Sequence, residues 1–214
     1  MPIGSFGDRS PRQLSFSFGG GRVPPPPPPP TRTKRTSDNV YFAVLPDKDV
    51  ARRLREIGEE LWHRHGLPGR VQPAHLLHVS LAHVGRFAGV PQGVVAAARM
   101  AGSAVRCAPF EVCFDRAASF DSPRGSPVVL RCGRGEEGFA QLRRAIAGAM
   151  HGVGLPANPS IGITPHVTLV YNGLSIPETA LVKPIEWTVR ELVLVHSLVG
   201  QGRHIHLGRW PLGG

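Results

Sequence analysis

The sequence predicts an α+β domain in which a strand, a helix and a further strand occur once in each half of the chain. Apolar residues recur at helical spacing in three separate segments, and short runs rich in β-branched and aromatic residues lie between them. In addition, two nearly identical tetrapeptides at 78–81 and 166–169 occupy corresponding places in the two halves. Together these observations indicate two similar units.

The first 38 residues differ from this pattern in composition. They hold nine Pro and five Gly, including seven consecutive prolines at 24–30. Such a stretch cannot bury enough apolar surface to offset its ordering entropy, so we predict a disordered tail containing a stiff polyproline II segment. We expect residues 39–214 to form one folded domain, and the tail to contact RNA or a proline-binding module.

Charge and cysteine content narrow the class of protein. The formal net charge is +10 at pH 7, and the basic excess is spread over both the tail and the rest of the chain. This balance favours a polyanionic partner, nucleic acid above all. The three cysteines are too few and wrongly spaced for a zinc site or a disulfide framework. No apolar run reaches the ~20 residues that span a bilayer, and no secretory signal is evident. We expect a cytoplasmic monomer that needs no metal or cofactor and no membrane.

The first half is predicted to contain two strands and two helices. Residues 39–45 form a β-rich run, and Asp47 can cap the helix that follows it. Apolar residues recur at helical spacing from there until Gly66 ends the pattern. A second strand is predicted at 76–84 and an Ala-rich helix at 92–105.

The second half repeats the alternation with more strands. Predicted elements are paired strands at 110–120 and 127–132, an amphipathic helix at 139–153, a strand at 166–171, one long strand near 185–198 and a last strand at 204–209.

Both tetrapeptides place a histidine two residues before a hydroxyl residue. Side chains alternate between the faces of a strand, so His78 and Ser80 share one face, with apolar residues behind them. His166 and Thr168 are related in the same way. Two such strands facing each other across a groove would present two imidazoles and two hydroxyls to one small ligand.

This set of groups suits the cleavage of a phosphodiester. The reaction needs a base to activate the attacking oxygen and an acid to protonate the leaving oxygen, and histidine can serve either role near neutral pH. Hydroxyls can donate hydrogen bonds to the non-bridging phosphate oxygens. A single His-x-Ser/Thr among ten histidines would be unremarkable. The repeat is what predicts a catalytic pair, and nothing in it requires a metal.

Further segments around the motifs resemble a known family. They are Tyr41-Phe42-Ala43 with Pro46, Ala82 to Gly85, Pro165, Ile185-Glu186-Trp187 and Leu207 to Leu212. With the two motifs, they make residues 39–214 resemble the two-histidine phosphoesterase superfamily. Within it, the chain looks most like the branch of RNA 2′,3′-cyclic phosphodiesterases that are also called 2′-5′ RNA ligases.

The resemblance implies a fold and an activity. The fold would have two pseudo-symmetric lobes, each an antiparallel sheet backed by helices, with a central cleft between the motif strands. The activity would be metal-independent hydrolysis of a terminal 2′,3′-cyclic phosphate on RNA to a 2′-phosphate, and its reversal would give 2′-5′ ligation. His78 would be the proton donor and His166 the proton acceptor. Ser80 and Thr168 would bind the phosphate, and the partners would be RNA ends or cyclic phosphate nucleotides.

Three positions depart from the pattern of that branch. Ser80 stands where Thr is usual, His83 where an aromatic residue is common, and Tyr171 where a basic residue is frequent. These departures leave other hypotheses open: the same site acting on a cyclic nucleotide, a cyclic ADP-ribose phosphate or a 2′-5′-linked oligonucleotide, or a non-catalytic module that binds RNA ends. Strand alternation points Tyr171 away from the face of His166 unless a bulge intervenes.

Tyr41, Phe42 and Tyr171 are candidate substrate contacts. Aromatic rings stack on the bases of single-stranded RNA, but strand alternation lets only one of the adjacent Tyr41 and Phe42 face a ligand. His204 and His206 share one face of the last strand and could bind a metal, yet no third ligand is identifiable from the sequence. We therefore expect a solvated edge strand there.

Overall fold

A computed structural model of the chain describes residues 38–120, 125–157 and 164–213, except for the side chains of residues 172 and 173. Residues 1–37 of the predicted N-terminal tail lie outside these residues, and its last residue, Asp38, begins the first strand. Within them, no helix is long and apolar enough to cross a membrane.

The described elements run in an order close to the predicted one. They are β1 (Asp38–Val44), α1 (Lys48–Arg64), β2 (Arg70–Val71), a 3₁₀ turn (Ala74–Leu76), β3 (Val79–Phe87), α2 (Gln92–Ala104), β4 (Phe110–Ser119), β5 (Ser126–Arg134), α3 (Glu136–Gly152), β6 (His166–Gly173), β7 (Thr179–Val189), β8 (Glu191–Leu198) and β9 (Arg203–Pro211). The predicted cap of α1 is confirmed, because the Val50 amide donates to Asp47 Oδ1 at 2.8 Å.

The strands form two antiparallel sheets, so the predicted α+β class with two lobes is confirmed. The first sheet has the order β3-β1-β8-β9, and the second has the order β2-β6-β5-β4-β7. Each sheet carries one of the two motif strands, β3 in the first and β6 in the second. The repeat in the sequence therefore corresponds to a repeat in the fold.

Two predicted strands need correction. The strand predicted at 76–84 begins at Val79, because the residues before it form the 3₁₀ turn. The long strand predicted near 185–198 is two strands that belong to different sheets. They are separated at Arg190, and Leu212 returns to donate a backbone hydrogen bond to the Arg190 carbonyl at 2.7 Å. The chain thus passes from the second lobe to the first at this point.

The helices contact strands of both sheets and so connect the two lobes. α1 follows a strand of the first sheet but contacts β6 and β7 of the second. α2 contacts β8 and β9 of the first sheet and also α3, which reaches both β3 and β4. One apolar cluster includes buried residues from both sheets and all three helices. The two motif strands are consequently anchored to one common core.

Candidate active site

The two motif histidines have matching backbone partners. His78 stands immediately before β3, and its Nδ1 lies 2.7 Å from the Leu76 carbonyl oxygen. His166 begins β6, and its Nδ1 lies 2.8 Å from the Thr164 carbonyl oxygen. A carbonyl oxygen can only accept, so Nδ1–H donates in both rings. In the neutral form, Nε2 of each histidine is then left with its lone pair for chemistry.

The residues after each histidine alternate as the sequence predicts. Val79 is buried and Ser80 is exposed in the first motif. Val167 is buried and Thr168 is half-buried in the second. Each strand therefore packs its apolar residues into the core and turns its hydroxyl to the same side as its histidine.

The two motif strands lie next to each other across the lobes. Cα atoms of β3 and β6 come within 8 Å of each other. Burial lowers the pKa of His78 below its ordinary value, and the nearby His166 lowers it further, although the bond to Leu76 opposes both. Burial also lowers the pKa of His166, against the opposing bond to Thr164. The fold thus brings the two imidazoles into one electrostatic environment.

Both motif strands bulge at the same position. Leu81 in β3 and Leu169 in β6 are each the extra residue where the register shifts against the neighbouring strand. In β6 this shift brings Tyr171 back to the side of His166. The bulge that the sequence prediction gave as the exception is therefore present, and Tyr171 does not point away from His166. Burial raises the pKa of Tyr171, and the neighbouring Thr168 hydroxyl lowers it. About half of the Tyr171 side chain (48%) is exposed.

His83 is the counterpart of Tyr171, since each lies five residues after its motif histidine. His83 pairs with Tyr41 across β1 and β3, and its Nε2 donates to Asn39 Oδ1 at 2.5 Å. Burial and the nearby Arg86 lower the pKa of His83. Two of the three departures from the family pattern, His83 and Tyr171, thus occupy equivalent places in the two lobes.

The structure separates the two adjacent aromatic candidates in β1. Tyr41 faces the site, with its ring centroid 5.2 Å from that of His78. Phe42 is fully buried (0% exposed) in the core, where it packs near Trp210. Phe42 is therefore wrong as a substrate contact, because strand alternation turns it inward.

His204 joins the site, contrary to the expectation of a solvated edge strand. Its ring centroid lies 5.3 Å from that of His78, with the planes 77° apart, and its Nε2 lies 3.4 Å from the Tyr41 hydroxyl. His206, two residues on, is exposed and lies 2.8 Å through its Nδ1 from Arg209 Nη2. Alternating histidines in the last strand were the only sequence signal for this contact, and they do not reveal which distant strand lies beside them.

The surroundings of His166 are different. Phe120 meets its ring edge-to-face at a centroid distance of 4.8 Å. Arg131 stands directly opposite His166 on β5, and its Nη1 donates to Glu178 Oε2 at 2.6 Å. Arg116 also donates to Glu178, at 3.5 Å. The second lobe therefore places an ion-paired guanidinium group next to its motif histidine.

The part of the chain that the structure describes contains no set of side chains suited to bind a metal ion. Across residues 38–120, 125–157 and 164–213, no three His, Cys, Asp or Glu side chains are grouped so that they could hold a metal ion. The three cysteines are free thiols.

Comparison with known proteins identifies the family. A family model described as the 2′-5′ RNA ligase superfamily matches residues 42–201. The chain belongs to this superfamily. Its members are two-histidine phosphoesterases, so the predicted family is confirmed. Membership supports phosphoesterase activity on cyclic phosphates. None of the curated proteins matches the sequence.

Solved structures share the fold of this 2′-5′ RNA ligase superfamily member. E. coli LigT complexed with 3′-AMP has a TM-score of 0.65 at 24% identity, over 83% of this chain and 99% of LigT. A phosphoesterase structure has a TM-score of 0.62 at 25% identity, over 83% of this chain and 99% of its own. A protein from Thermus thermophilus has a TM-score of 0.62 at 20% identity, over 81% of this chain and 97% of its own. The roles of the individual site residues stay predictions.

Proposed function

We propose that this protein hydrolyses the 2′,3′-cyclic phosphate at the end of an RNA to a 2′-phosphate, with His78 as the proton donor and His166 as the proton acceptor. The observation that carries the proposal is the matched pair of imidazoles, each held through Nδ1 by a backbone carbonyl. Each ring is left with Nε2 for proton transfer. Family membership supports the reaction class.

The proposed reaction needs two proton transfers. His166 Nε2 takes a proton from water as the water oxygen attacks phosphorus. The bond from phosphorus to the 3′ oxygen breaks, and His78 Nε2 gives its proton to that oxygen. The product is a 2′-phosphate with a free 3′ hydroxyl. With a 5′ hydroxyl of RNA in place of water as the nucleophile, the same two proton transfers would join two RNA ends through a 2′-5′ linkage.

Bound phosphate adjusts the protonation of the pair. Burial lowers the pKa of both histidines, which favours their neutral forms. A phosphodiester brings a negative charge between them, and an opposite charge raises the pKa of a neighbouring imidazole. We expect the substrate to restore the proton on His78 that the leaving oxygen needs.

The hydroxyls of Ser80 and Thr168 would stabilise the transition state. Both lie two residues beyond a motif histidine on the same side of the strand. Charge builds on the non-bridging phosphate oxygens as the water attacks, so preorganised donors there lower the barrier.

The direct test offers the protein a short RNA ending in a 2′,3′-cyclic phosphate, in excess EDTA, and identifies the product. We expect a 2′-phosphate. His78→Ala and His166→Ala should each reduce kcat by roughly 10²–10⁴-fold, the usual contribution of a positioned proton transfer. His151→Ala, at an exposed position in α3, is the matched control and should leave kcat unchanged. Near-normal turnover in either motif variant would show that its histidine has no catalytic role.

Tyr171 favours a second candidate function. An exposed phenol stands on the side of His166, where a basic residue is frequent in the RNA branch. The same site would then act on another cyclic phosphate or on a 2′-5′-linked oligonucleotide. Product analysis on these compounds separates the two candidates. Salt-sensitive RNA binding without turnover of any of them would instead indicate a module that binds RNA ends.

A further inference from the structure

The two halves of the site are alike in their motifs but not in what surrounds the histidines. His166 meets Phe120 edge-to-face at 4.8 Å. His78 meets two polar rings, Tyr41 at 5.2 Å and His204 at 5.3 Å. Because both motif histidines bind a backbone carbonyl in the same way, these neighbours are what distinguishes the two. Tyr41 comes from β1 and His204 from β9, so both are far from either motif in sequence.

Tyr41 and His204 also contact each other. Their ring centroids are 6.2 Å apart with the planes 85° from each other, and the Tyr41 hydroxyl lies 3.4 Å from His204 Nε2. Burial raises the pKa of Tyr41, with Tyr171 adding to the effect, so its hydroxyl keeps its proton and can donate to His204. The two rings thereby form a polar wall along one side of His78.

His204 itself stays uncharged. Burial lowers its pKa to about 4, and His78, His206 and His75 lower it in the same direction. Ser197, which faces it from β8, carries no charge. A neutral ring beside His78 leaves that histidine free to take up a proton, whereas a charged ring would repel it.

We propose that His204 is a positioning residue for His78, and that with Tyr41 it makes His78 the histidine that carries the catalytic proton. The inference rests on the proposed function, in which His78 protonates the leaving oxygen.

A protonated His78 is stabilised by this wall. Its ring lies within the ~6 Å at which a cation is attracted to an aromatic face, and tyrosine offers a better face than phenylalanine. The charged group that opposes it is a protonated His166, across the lobes on β6. His166 instead lies beside the apolar Phe120 and opposite the ion-paired Arg131. Its neutral form is favoured, as a base requires.

Two substitutions separate polarity from packing. His204→Phe keeps a ring but loses the contact with the Tyr41 hydroxyl, whereas His204→Gln loses the ring but keeps a neutral polar group. We expect the Phe variant to lower the pKa of His78 by about one unit and so reduce kcat about tenfold at neutral pH. The Gln variant should retain at least half of the wild-type kcat, and KM should change less than threefold in both. Tyr41→Phe should shift the pKa of His78 in the same direction as His204→Phe.

The pKa of His78 is measured by NMR titration of its imidazole in the full-length protein, beside the pH profile of kcat. His206→Gln, two residues further along β9, is the matched control and should change neither. If the Phe variant behaves like wild type while the Gln variant loses activity, packing alone explains the contact and the proposal is overturned. The same holds if neither variant moves the titration. The titration needs no turnover, so an inactive wild type would refute the proposed function without deciding this inference.

Discussion

Replacing Thr168 by valine removes one hydroxyl from the site and keeps the shape of the side chain. Thr168 lies half-buried, two residues beyond His166 on the same side of β6. A hydrogen bond to a charged group contributes ~1.5–3 kcal/mol. If the Thr168 hydroxyl donates to the phosphate only as charge develops on it, its loss raises the barrier by that amount. Since 1.36 kcal/mol corresponds to a factor of ten in rate, kcat should fall by about 10- to 150-fold.

The assay is steady-state hydrolysis of RNA ending in a 2′,3′-cyclic phosphate, with kcat and KM measured separately. Thr168→Ser keeps the donor and should retain most of the activity, and Ser80→Ala should act like Thr168→Val in the other lobe. Because valine also changes the polar surroundings of Tyr171, thermal unfolding must show that the variant is folded. A folded Thr168→Val protein with more than one third of the wild-type kcat would refute the role of the hydroxyl.

Three other predictions concern pH, packing and thiol reactivity. Burial lowers the pKa of both motif histidines below the ordinary value of about 6.5. Because the free enzyme is active when one histidine is protonated and the other is neutral, the optimum of kcat/KM should lie below about pH 6.5. An optimum above that pH would contradict this acid–base pair. A Cβ at Gly58 would lie 3.0 Å from Val71 Cγ1 and 3.4 Å from Leu169 Cβ. Gly58→Leu should therefore lower the free energy of unfolding, measured by urea titration, by about 1–3 kcal/mol. Unchanged stability would show that α1 packs differently. Burial raises the pKa of the Cys132 thiol to about 11, so iodoacetamide should modify it far more slowly in the folded than in the unfolded protein, and equal rates would mean that the thiol is exposed.

Local patterns in the sequence were sufficient for most of the elements and for the core of the site. The strand and helix periods are set by neighbouring residues, so β1, α1, α3 and β6 lie close to their predicted places. Asp47 caps α1 because the N-cap interaction spans only three residues. Alternation along a strand likewise places each motif hydroxyl on the side of its histidine.

Long-range packing decided the rest of the site. A bulge exists only relative to a neighbouring strand, so the return of Tyr171 to the side of His166 depends on how β6 pairs with β5. The apolar run near 185–198 does not say that its two parts join different sheets, because that depends on the distant strands with which each part pairs.

The sequence by itself therefore predicted the acid–base pair, because two short repeats carry the histidines and the hydroxyls. Only the tertiary structure decided what surrounds each histidine. His204 and His78 lie in opposite halves of the chain, and they meet because β9 and β3 belong to one sheet, with β1 and β8 between them. No local spacing encodes such a contact, since it forms only when the strands between those edges have paired.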